Sequence, residues 1–136
     1  MQKIYTYDTK KFNFKKLLEE IFDTKNLSTL HERKTYDIFK RFNDQKTVFH
    51  KTFYKKFHEG HEFVNLYELF ISDFVIPSLN LEEIIYQKVP TFRCHLQGNK
   101  AVGEFHKDSD YNHPISEINF FVPVTEAYDT NTIWIE

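Results

Sequence analysis

An imidazole and a carboxylate one residue apart, His106-Lys107-Asp108, stand where the alternating stretch Ala101 to Phe105 runs into the polar loop Lys107-Asp108-Ser109-Asp110-Tyr111-Asn112-His113-Pro114. On a chain leaving an extended conformation, both side chains can reach one divalent ion. A further histidine from a distant strand would complete a facial triad, which leaves adjacent coordination positions open for a chelating cosubstrate and O₂. The tripeptide is short, and a surface His-Asp pair without metal spells the same letters.

The other residues able to do chemistry read more plainly as structure. His58 and His61 in His58-Glu59-Gly60-His61 lack the four-residue spacing of a helical zinc pair and read as solvated loop histidines. Cys94 alternates with Arg93 and His95 and shares a face with Phe92 and Leu96, so it reads as a small buried hydrophobe rather than a nucleophile. His113 follows Asp108 by only five residues in a tight loop, a poor position for a third ligand.

The elements that must position the pair change character along the chain. Phe14, Leu17, Leu18, Ile21 and Phe22 recur at helical spacing behind Asn13, a predicted N-cap. Between Thr35 and Phe57, Phe39, Phe42, Phe49, Phe53 and Phe57 oppose Lys40, Arg41, Lys46, Lys51, Lys55 and Lys56, the pattern of one or two helices on a core. Leu66, Leu69, Phe70 and Phe74 predict a shorter helix ended by Pro77. Asn80 with Glu83 reads as a capping pair for a brief helix through Tyr86.

From Pro90 the hydrophobic period becomes two. Phe92, Cys94 and Leu96 alternate with Thr91, Arg93, His95 and Gln97, and Ile118, Phe120, Val122 and Val124 alternate with Glu117, Asn119, Phe121, Pro123 and Thr125. Gly98-Asn99 turns between strands, and Thr132 to Glu136 reads as a fourth strand. By parity, Arg93, His95, Gln97 and Asn119 share the polar face onto which His106 and Asp108 open.

At 136 residues and 16.5 kDa the chain fits a single domain, 1–136. Hydrophobic residues at 40% and only 3 Gly and 4 Pro exclude a disordered tail or linker. One cysteine excludes an intrachain disulfide, so the fold owes nothing to an oxidising compartment. Without a signal sequence or an apolar run of membrane length, the expectation is a soluble cytoplasmic chain with no membrane partner. A net charge of −2 argues against nucleic acid as a partner, but it hides a split. Residues 1–60 hold 14 Lys/Arg against 8 Asp/Glu, and residues 61–136 hold 4 against 12.

Four stretches, Tyr86-Gln87-Lys88-Val89-Pro90-Thr91-Phe92-Arg93, Phe105 to Pro114, Glu117 to Thr125 and Asn131-Thr132-Ile133-Trp134-Ile135-Glu136, resemble the Fe(II)/2-oxoglutarate-dependent oxygenase superfamily. Within it they look most like the streptomycin-biosynthesis-type oxygenase-like proteins. The resemblance implies an α+β fold: N-terminal helices, residues 1–87, packed on the first half of a double-stranded β-helix or jelly roll, residues 88–136. It implies His106 and Asp108 as iron ligands, Fe(II) and 2-oxoglutarate as cofactor and cosubstrate, and Arg93, Gln97 and Asn119 as candidates for cosubstrate contact. The family's late histidine and the arginine that holds 2-oxoglutarate have no counterpart, since no His follows His113 and no Arg or Lys follows Lys107.

The expectation is therefore an oxygenase acting on a small-molecule substrate, or the N-terminal part of one. Half a barrel would carry unpaired strand edges and favour self-association. The rival reading is a non-catalytic jelly-roll module for a small polar ligand or a partner.

Overall fold

The structure is a computed structural model that describes residues 3–33, 46–96 and 107–133. Helix α1, Phe14–Ile21, follows from its spacing: Phe14, Leu17, Leu18 and Ile21 are buried, and Asn13 Oδ1 accepts from the Lys16 amide at 3.0 Å. Such a side chain replaces the partner that the first helical turn lacks. A 3₁₀ turn over Leu27–Glu32 repeats the device, with Asn26 Oδ1 accepting from the Ser28 amide at 3.0 Å and Leu27 and Leu30 buried.

Helix α2, Val48–His58, starts at Thr47, whose hydroxyl accepts from the His50 amide, and buries Phe49, His50, Phe53 and Phe57. The phenylalanine stripe is thus core over its described half. Phe39 and Phe42 lie outside the described residues.

Helix α3, Phe63–Phe70, runs without interruption through a π turn, Ile71–Val75, into α4, Ile76–Leu79. Here the structure corrects the stop expected at Pro77, which sits in the first turn of α4. A proline in a regular helix clashes with the carbonyl four residues back; the wider π turn precedes it, with the Ile76 amide reaching Ile71 rather than Ser72. Asn80 is likewise not the N-cap of a following helix. It closes α4 in the left-handed conformation, φ 55°, and its amide bonds to the Pro77 carbonyl while that of Leu81 bonds to Ile76.

That ending recurs. Asp23 (φ 47°) after α1 and Gly60 (φ 80°) after α2 sit in the same conformation, with amides of Asp23 and Thr24 returning to Glu20 and Glu19, and amides of Gly60 and His61 returning to Phe57 and Lys56. All three are Schellman ends, which satisfy carbonyls the helix leaves open.

The expected jelly roll is not found: among the described residues there is no strand and no sheet, and the regular structure is helical. The period-two pattern locates most of the faces, with one correction: Ile118, expected on the inward face, stands exposed. Phe92, Cys94 and Leu96 turn toward the core while Thr91, Arg93 and His95 are exposed, and Phe120, Val122 and Val124 turn inward while Asn119, Phe121, Pro123 and Thr125 face out. Alternating burial needs only a non-helical chain lying on an apolar surface. A sheet also needs a neighbouring chain about 4.8 Å away offering backbone donors and acceptors.

In place of that ladder, segment 87–96 lies on the helices. Tyr54 Oη of α2 accepts from the Phe92 amide at 3.0 Å, and Tyr67 Oη of α3 donates to the Gln87 carbonyl at 2.7 Å. Phe92 stacks on Phe53 with ring centroids 4.5 Å apart, and Leu96 is buried. Aromatic contacts then carry the core through Phe63, Phe14, Phe70 and Phe12, at centroid separations of 5.1 to 5.4 Å. The Glu117 to Thr125 stretch reaches the same core through Phe120, whose ring lies 6.0 Å from Tyr5.

Candidate functional site

Asp108 opens a 3₁₀ turn, Asp108–Tyr111, and the loop around it is closed by its own polar groups. The Asp110 amide bonds to the Lys107 carbonyl at 2.9 Å, and Asp110 Oδ2 accepts from the Lys107 amide at 3.0 Å. Asn112, at φ 64°, reverses the chain so that the His113 amide meets the Asp108 carbonyl at 3.4 Å. Asn119 then donates its side-chain amide to Asp108 Oδ2.

Asp108 is half-buried and Asn119 exposed. An amide donor on one carboxylate oxygen fixes the plane of the group, as residues behind metal ligands do. Of the site residues read from the sequence, these are the two that the structure brings together. His106 and Gln97 lie outside the described residues. Arg93 and His95 are exposed on the outer face of segment 91–96 and line no enclosed barrel interior.

The remaining candidates have structural occupations. His113 Nδ1 lies 2.7 Å from Glu117 Oε2, which engages that ring nitrogen away from Asp108. His61 is not merely solvated: its Nδ1 accepts from the Phe63 amide at 3.1 Å and so caps the start of α3. His58 is exposed in the last turn of α2. Burial pushes the Cys94 thiol up to about 12, which leaves it protonated and unreactive at neutral pH.

Two features had no clear signal in the sequence. One is the pair of tyrosine hydroxyls, Tyr54 and Tyr67, that hold segment 87–92. The other is a shallow open groove of about 510 Å³ where Lys15, Asn26 and Ser28 face Pro123 to Glu126.

The donor chemistry at 106–108, one imidazole and one carboxylate, suits a borderline divalent transition metal in kind and falls short in number. Among the described residues no group of three or more His, Cys, Asp or Glu side chains could hold a metal ion. Among the described residues the metal-binding and jelly-roll expectations are therefore corrected together, with His106 itself lying outside those residues. Also among the described residues, no helix is long and apolar enough to cross a membrane.

The chain is similar to the streptomycin biosynthesis protein StrG of Streptomyces griseus, with 32% identity over 131 residues. The similarity covers 96% of this chain and 62% of that protein's length. No protein-family profile matches the chain, and no solved structure matches it.

Proposed function

We propose that the chain serves an Fe(II)/2-oxoglutarate-dependent oxygenase acting on a small-molecule substrate, and that it supplies two of the iron ligands, His106 and Asp108. The observation that carries the reading is the Asp108–Asn119 hydrogen bond. It orients the carboxylate of the His-x-Asp pair from a residue singled out independently as a polar-face neighbour. The similarity to a protein of antibiotic biosynthesis supports a small-molecule substrate.

Bound iron with 2-oxoglutarate would supply O₂ activation coupled to oxidative decarboxylation of the cosubstrate to succinate, with hydroxylation of the substrate as the outcome. What this chain's own residues do is narrower. Asp108 offers a carboxylate held by Asn119, His106 adds an imidazole two residues before it, and Arg93 is the cation on the outer face of segment 91–96 available to a dicarboxylate. With two ligands, affinity is low, because each missing protein bond is replaced by water.

Calorimetric titration with Mn(II), alone and with 2-oxoglutarate, tests this directly. The expected result is weak Mn(II) binding that 2-oxoglutarate strengthens, and no succinate on adding Fe(II) and O₂ to the 136-residue chain. Binding of 2-oxoglutarate that is indifferent to metal would instead support a non-catalytic binding module.

A further inference from the structure

Large apolar side chains stand in solvent along one stretch of the molecule. Ile115 is 96% exposed, Ile118 59% and Tyr128 61%, with Phe121 and Ile133 also exposed. Such residues are exposed elsewhere too, Ile4 and Ile85 among them, but five fall within residues 115–133, which makes this segment the candidate interaction surface. Its electrostatics restrict what can cover it: residues 111–133 include Glu117, Glu126 and Asp129 and no Lys or Arg. A fitting occupant is apolar and basic.

The same chain carries such a surface. Between residues 46 and 58 there are four lysines and no Asp or Glu. Lys46, Lys51, Lys55 and Lys56 are all exposed, with Val48 exposed among them at the start of α2. Lys55 and Lys56 share Glu59 at 3.8 and 3.9 Å, and exposed pairs of that length are weak and readily exchanged. The split of charge between the two halves of the sequence repeats this complementarity on the scale of the whole chain.

We propose that the acidic apolar face of residues 111–133 docks the basic face of α2 of a second copy. The two patches differ, so the contact is head-to-tail, and successive copies add to an open end rather than closing as a two-fold dimer. Long-range attraction between the faces makes assembly sensitive to ionic strength, since screening lengths fall from about 10 Å at 0.1 M salt to about 3 Å at 1 M.

Sedimentation velocity of the full chain, from about 5 to about 200 µM, spans the range of weak interfaces. The sedimentation coefficient should rise with concentration at low salt without levelling at a dimer, and fall back at 1 M salt. Lys51→Glu with Lys55→Glu should weaken association roughly tenfold, and so should Glu117→Lys with Glu126→Lys. Mixing the two charge-reversed proteins should restore association to within about threefold of the wild type. All four positions face solvent or are half-exposed, and unchanged far-UV circular dichroism would verify the fold of each variant. A monomer throughout the range, association that ignores salt, or failure of the mixed variants to recover would each overturn the proposal.

Discussion

Asn119 Nδ2 donates to Asp108 Oδ2 across eleven residues of chain, tying the start of the 107–114 loop to the segment that leaves it. Between them lie a 3₁₀ turn, the left-handed Asn112 and the His113–Glu117 contact, so the loop returns on itself before its two polar ends meet. A carboxylate held this way has its orientation set before any ligand arrives, and less ordering remains to be done on binding.

Segment 87–96 depends on its seat against α2. Phe92→Ala removes the ring stacked on Phe53 and should destabilise the fold by about 2–3 kcal/mol, somewhat below a fully buried phenylalanine. Tyr54→Phe keeps the ring and removes the hydroxyl that receives the Phe92 amide, at a cost of about 1 kcal/mol. Urea unfolding monitored by circular dichroism gives both values. Equal effects would mean that the hydroxyl holds the segment as strongly as the stacking does, and no loss for Phe92→Ala would mean that the stacking does not hold it.

The faces of the non-helical segments were legible because alternation is local. Phe92, Cys94 and Leu96 turn inward as their spacing requires, and so do Phe120, Val122 and Val124. What covers an inward face is not local. Tyr54 and Tyr67 hold segment 87–92 from 38 and 20 residues away, and neither tyrosine differs in sequence context from a core aromatic. The helix start at Asn13 follows from residue type, whereas Asn80 suits a helix start or a left-handed helix end equally, and the chain uses the second. For the site, parity set Asn119 on a polar face, but its bond to Asp108 arises from the loop's return.

Gly60 isolates the backbone term of a helix ending. A Cβ there would meet nothing within 4 Å, yet φ is +80°. Gly60→Ala should therefore cost about 1 kcal/mol from the left-handed conformation alone. Thermal unfolding should show a modest loss with no change in near-UV spectrum; a neutral result would mean that the end of α2 rearranges without penalty.

Acid should loosen the join between the N-terminal segment and the π turn. The Lys11 ammonium, 2.7 Å from Asp73, together with the Ser72 hydroxyl, holds the Asp73 carboxyl below its ordinary value of 3.8. A depressed carboxylate contributes stability that is present above its unfolded value and is lost as pH falls through the folded one. Stability contributed by this pair should thus hold above about pH 4 to 5 and decline below. Asp73→Asn should flatten the acid limb of a stability-versus-pH curve measured by denaturant titration, and leave Lys11→Met with little further effect. An unchanged acid limb would assign no role to the pair.

The most direct measurement is a Mn(II) titration followed by electron paramagnetic resonance, in which the signal of the free ion falls as the protein takes it up. Wild type should bind weakly, Asp108→Ala should lose binding at least about tenfold, and Asn119→Ala should fall between, as removal of a supporting partner does. Asp110→Ala, which deletes a carboxylate two residues away that serves the Lys107 amide, should bind as wild type does. If Asp108→Ala retained wild-type affinity, or if Asp110→Ala lost as much, the assignment of Asp108 with His106 as iron ligands would be contradicted.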